Sequence, residues 1–225
     1  MRKINYLRFL LLVSGLLLLC ACSGGYNKYA DEYYEQGLMF YNKQEYERSI
    51  ENFTKVLELA PRGDENNKVY YNRGQAHFKN RQYDKAIYDF TKSLELTPTS
   101  DKEMLFDNYH SRANAWQAGG NYIKAIGDYG RAIELMPKNK NIKYLYDNRA
   151  WAHQKNGQPD KAIADFSKAL EFDGEFARAY YGRGFVWFEQ GDYERALFDA
   201  KEAHKLDPEM VVYDELVFKI KTAMK

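Results

Sequence analysis

Cysteine is almost missing from this chain. Of its 225 residues only Cys20 and Cys22 are cysteines, both at the end of one apolar N-terminal run, so no disulfide framework and no thiol chemistry is available to the fold that follows. A surplus of one charge is missing too. Lys and Arg number 33 and Asp and Glu 32, a net charge of +1, which gives no positive field of the kind that nucleic acid requires. The sequence contains no G-x-x-x-x-G-K-[ST], no G-x-S-x-G, no H-E-x-x-H and no C-x-x-C, so the common nucleotide, nucleophile and zinc signatures are absent. Its four histidines, His77, His110, His153 and His204, are far apart in sequence, which disfavours a metal cluster. Acids and bases are spread evenly, as on solvated helix faces. We expect no enzyme, no metal and no cofactor.

Proline is scarce as well, yet four of the five prolines mark a period. Tyr70 to Pro98, YYNRGQAHFKNRQYDKAIYDFTKSLELTP, reads as two amphipathic helices joined by a tight turn and closed by a proline. Small residues, Gly74 and Ala86, fall where the two helices would cross. The same order recurs as Gly37, Tyr46, Ser49, Phe53 and Pro61; as Ala113, Tyr122, Ala125, Tyr129 and Pro137; as Ala150, Ala162 and Phe166; and as Gly184, Tyr193, Ala196 and Pro208. The fourth copy has Gly174 in place of the closing proline and Pro159 in place of an aromatic; the fifth has Ala200 in place of the second-helix aromatic. A period of this length means stacked supersecondary units.

These residues resemble the tetratricopeptide repeat, W-x2-L-G-x2-Y…A-x3-F…P, whose unit is about 34 residues. The resemblance covers residues 30–208. It implies an all-α, right-handed superhelical solenoid of about five helix-turn-helix units, at 30–63, 67–100, 106–139, 143–176 and 177–210. Short insertions follow Pro61, Pro98 and Pro137. Residues 209–225 read as a capping helix, with Val212, Leu216 and Ile220 as its buried stripe. Gly120, Gly157 and Gly191 fall at one place in the turns of copies three to five, where a left-handed backbone is expected. Asn80 is the expected substitute in copy two, and copy one has none. Stacking the copies also aligns Gln36, Arg73, Arg112, Arg149 and Arg183 with Asn52, Asp89, Asp128, Asp165 and Asp199. Where the first set is charged so is the second, which predicts a ladder of Arg–Asp ion pairs.

The N-terminus is separate. Arg2, Lys3 and Arg8 precede an apolar run from Phe9 to Leu19, too short to span a bilayer comfortably and built like an export signal. It ends in Leu19-Cys20-Ala21-Cys22, which resembles the bacterial lipoprotein box with Cys22 as the lipidated residue. That reading makes 1–21 a signal peptide and 22–29 a Gly-rich tether, and leaves a mature chain of net charge −2. It places the protein in the bacterial envelope, anchored by lipid to the membrane; Ser23 fits delivery to an outer membrane, facing the periplasm. A plain signal peptide and an uncleaved anchor are the alternatives.

In the family that the repeats resemble, first helices line the concave wall and partners dock there. Carried over by position, this selects Tyr34, Leu38 and Tyr41; Tyr71, Gln75 and Phe78; His110, Asn114 and Gln117; Asp147, Trp151 and Gln154; and Tyr181, Phe185 and Phe188. The set describes an aromatic groove with a polar middle, suited to a protein or peptide partner. Three functions are compatible with it: an envelope scaffold or adaptor, an accessory ligand-binding subunit of a transport system, and a structural lipoprotein that self-assembles into homo-oligomers. The open groove favours the adaptor.

Overall fold

A computed structural model of the chain describes residues 28–225. Cys22, the signal segment 1–21 and most of the tether lie outside the described residues. Lys28 and Tyr29, expected in the tether, are already helical.

Eleven α-helices and no strands occur among the described residues. They pair as α1 (Lys28–Asn42) with α2 (Tyr46–Leu59), α3 (Asn66–Lys79) with α4 (Tyr83–Leu96), α5 (Lys102–Ala118) with α6 (Tyr122–Leu135), α7 (Ile142–Lys155) with α8 (Pro159–Phe172) and α9 (Ala177–Glu189) with α10 (Tyr193–Leu206). α11 (Val211–Ala223) follows alone. Each second helix packs on the next first helix, and successive first helices touch one another. The result is the all-α superhelical stack, with the first helices side by side along the inner wall.

The crossings explain the small residues. A Cβ on Gly37 would sit 2.8 Å from the Phe53 ring, and one on Gly74 would sit 2.9 Å from Phe90. Ser49 Oγ, at the matching site of α2, donates to Gly37 O at 2.9 Å. Ala86, Ala113, Ala125, Ala150, Ala162 and Ala196 are buried. Close approach of the backbones lets one large ring per unit, Phe53, Phe90, Tyr129 or Phe166, fill the space between units. In the fifth unit Ala200 leaves that space to Leu216, Val217 and Ile220 of α11. The buried face of α11 is therefore Tyr213, Leu216, Val217 and Ile220. Val212, expected in that stripe, is exposed, because the helix turns Tyr213 inward against Tyr181 instead.

Gly120, Gly157 and Gly191 have φ of +81°, +70° and +80°, as the turn chemistry requires. The expectation for Asn80 fails: its φ is −82°. The left-handed residue in copy two is Arg81, at φ +59°, and copy one has one after all, Gln44, at φ +62°. Both align with the glycines, one position later than the sequence suggested for copy two.

The Arg–Asp ladder is present in all four charged copies. In each, Arg Nε donates to one carboxylate oxygen and Nη2 to the other, at 2.7–2.8 Å, from first helix to second helix of one unit. Nη1 reaches back to the preceding unit, to Thr54 (3.1 Å) from Arg73, Thr91 (3.1 Å) from Arg112 and Ser167 (3.0 Å) from Arg183. Arg149 meets Gly130 there, which offers no hydroxyl. The forks of Arg73, Arg112 and Arg183 thus each tie three helices together, and that of Arg149 ties two. In copy one Asn52 Nδ2 turns away and donates to Arg48 O at 2.7 Å.

Candidate functional site: the inner face of the first helices

Of the fifteen residues selected by position, fourteen are partly exposed along the inner wall and one, Asp147, is fully buried. The N-terminal aromatics lean on their own units. Tyr34 meets Phe53 edge-on at 5.7 Å, and its hydroxyl accepts from Asn72 Nδ2 at 2.8 Å. Leu38 packs on the same core. Tyr41 meets Tyr46, and Phe78 meets Tyr83.

The middle is polar and internally bonded. Gln75 Nε2 donates to Tyr71 Oη (2.8 Å) and Ser111 Oγ (3.2 Å). Tyr129 Oη lies 2.6 Å from Asn114 Oδ1 and 2.9 Å from Gln117 Oε1, sharing its one proton between them. His110 sits between Phe106 and Tyr129. Burial pulls its pKa down and so favours the neutral imidazole.

Aromatics become contiguous at the C-terminal half. Trp151 stands edge-on to Phe166 at 5.4 Å and lies 5.8 Å from Phe185 and 6.1 Å from Tyr181. Tyr181 in turn lies 5.1 Å from Tyr213 of α11. Phe188 packs on Tyr193, and Gln154 bonds to Glu189. Asp147 occupies the place held by Tyr34, Tyr71 and Tyr181 in other units. Its carboxylate has Arg178 Nη2 at 2.8 Å, and the same nitrogen donates to Asn148 Oδ1 at 2.8 Å. Burial pushes the Asp147 carboxyl up to about 6, while Arg178 pulls it down. Asp147 thus joins units four and five from beneath the wall and offers no contact surface of its own.

Sequence reasoning missed Asn72, Ser111, Asn148, Arg178 and Tyr213, which bond to or pack against these side chains, Ser111 and Tyr213 from buried positions. For Arg178 there was a signal: an acid stands at an aromatic position in unit four, and a base stands at the start of the next first helix.

Two open clefts, of ≈ 410 and ≈ 470 Å³, lie away from these fifteen residues. They occupy matching places, one beside Arg183, Trp187, Arg195 and Phe198, the other beside Arg73, His77, Lys85 and Tyr88. Among the described residues no group of His, Cys, Asp or Glu is arranged to hold a metal ion, and no helix is long and apolar enough to cross a membrane.

Family models of the tetratricopeptide repeat match residues 30–62, 68–100 and 148–210, together more than half of the chain. The chain belongs to the tetratricopeptide repeat family, whose members are scaffolds for protein interaction. Unit three and the start of unit four fall between the matches, and the structure gives them the same paired helices. No curated protein matches the chain. Among solved structures it is similar to MamA 41-end from Desulfovibrio magneticus RS-1, with a TM-score of 0.72 and 17% identity over 83% of this chain and 99% of that one. A crystal structure of MamA protein gives 0.69 and 22% over 83% and 96%. YrrB, described as "a TPR protein with an unusual peptide-binding site", gives 0.66 and 21% over 84% and 90%. At these identities the likeness is one of fold.

Proposed function

We propose that this protein is a membrane-anchored adaptor of the bacterial cell envelope, which holds a protein or peptide segment against the inner wall of its helical stack. The observation that carries this reading is the continuous, partly exposed aromatic surface of Trp151, Tyr181 and Phe185, backed by the buried Tyr213, next to amide side chains that can bond a peptide backbone. Large rings on a wall that nothing among the described residues covers are suited to recognition. The peptide-binding site named for YrrB supports the reading by analogy of fold. Anchoring rests on the basic start, the apolar run and the Leu-Cys-Ala-Cys box that ends at Cys22. A single acyl chain holds a membrane only marginally, so stable anchoring requires more than one at this cysteine.

Affinity capture from detergent extracts tests the adaptor. A specific protein retained by the wild type, lost with Tyr71→Ala/Phe188→Ala and kept by an outer-face control such as Lys168→Ala supports it. Equal capture by all three contradicts it. Incorporation of labelled fatty acid into the wild type, absent in Cys22→Ser, tests the anchor.

A further inference from the structure

α11 stands where the first helix of a sixth unit would stand. Thirty-four residues separate it from α9 position for position, so Asp207 matches Asp173 and Phe218 matches Gly184. Gly184 is the small residue that lets α10 cross α9: a Cβ there would lie 3.1 Å from Asp199 Cβ and 3.2 Å from Ala196 O. Phe218 occupies that slot with a ring that no second helix among the described residues covers, and it is 71% exposed. Val211, one face-length earlier, is 67% exposed. The helix is charged in two blocks, Asp214 and Glu215 one turn before Phe218 on its face, and Lys219 and Lys221 after it, of which Lys221 shares that face.

We propose that this end of the stack recognises itself: two copies pair through α11, antiparallel, with Phe218 near the two-fold axis. Antiparallel pairing sets Glu215 of one copy opposite Lys221 of the other, with Asp214 one residue further on and still beside Lys221, twice by symmetry, and opposes the helix dipoles. Parallel pairing would set acid on acid and base on base. A head-to-tail continuation fits poorly. The face of α1 that carries the half-exposed Met39, where other units bury Ala76, Ala115, Ala152 or Val186, corresponds to one that rests on a second helix in those units, and α11 presents a first helix. One helix per copy is a smaller patch than the roughly 800 Å² per partner of a standard interface. The dimer is therefore weak, and it closes at two.

Sedimentation velocity of the full chain in detergent, at rising protein concentration, tests this. The wild type is expected to pass from monomer to dimer and stop there, and Phe218→Asp to remain monomeric with an unchanged melting temperature. A chain with Asp214→Lys/Glu215→Lys and one with Lys219→Glu/Lys221→Glu should each stay monomeric alone and form a mixed dimer when combined. Four results overturn the proposal: a wild type that stays monomeric, one that grows beyond two, a dimer indifferent to Phe218→Asp, or charge-swapped chains that do not rescue each other.

Discussion

Removing one member of the Arg–Asp ladder should be costly in a way that removing both is not. Asp89 is buried to within 1% of its side-chain surface, and Arg73 keeps only 15% exposed. Two bonds of 2.8 and 2.7 Å join them, and His77 Nε2 lies 3.7 Å from the same carboxylate. In Asp89→Ala the guanidinium keeps Thr54 but loses its counter-charge in a site with little water. Breaking a buried pair on one side costs about 3–5 kcal/mol; the residual exposure of Arg73 puts this case near the lower figure, about 3 kcal/mol. For a chain of this size that lowers Tm by roughly 6–12 °C. Arg73→Met/Asp89→Leu, which leaves no orphan charge, should recover at least about 1 kcal/mol relative to the sum of its single variants. Thermal and denaturant unfolding of the four chains in the cycle provides the check. A loss below about 0.5 kcal/mol for Asp89→Ala, or strict additivity, would refute the view that the fork holds three helices in register.

Other outcomes follow from the same geometry. Gln44→Gly and Arg81→Gly relieve left-handed backbone and should each raise stability by about 0.5–1 kcal/mol; Asn80→Gly should lower it, since Asn80 is not left-handed. Gly130→Ser gives α6 a better helix former and offers Arg149 the hydroxyl that its counterparts have, so denaturant midpoints should rise by an amount equivalent to about 1 kcal/mol. Asp147 takes up its proton near pH 6 in the folded chain and near 4 when unfolded. The folded state thus binds more protons between those values, and this residue's contribution to stability falls as pH rises from about 4 to about 6. Asp147→Asn should flatten that slope and gain about 2 kcal/mol at pH 7, and a lower Tm there would contradict it. Ala86→Leu overpacks the α3–α4 crossing and should cost about 1–3 kcal/mol, measured by the same unfolding curves.

Most of the fold was legible because the repeat prints the same constraint several times. Gly74 or Ala113 alone says little, but small residues at one register position in all five units can only be a crossing. The ladder was legible for the same reason: Gln36 with Asn52 breaks the charge on both partners at once. What was not legible is where units differ. Arg81 and Gln44 adopt a backbone that their residue types disfavour, because the stacked helices on either side fix the turn and override local preference. Val212 looked apolar and in phase, but Tyr213 had the better partner in Tyr181. Asp147 was placed on the wall by register, and the structure buries it because Arg178, one unit away, supplies the countercharge. Position along a helix is periodic information; side-chain depth depends on the neighbouring unit.

The most direct test of the inner wall as a docking surface is site-specific photo-crosslinking in intact bacterial cells, with the reactive residue placed at Phe185, at Leu38 or at the outward-facing Ala164. The account predicts one discrete protein adduct from Phe185 or Leu38 and none from Ala164. An adduct from Ala164 alone would contradict it.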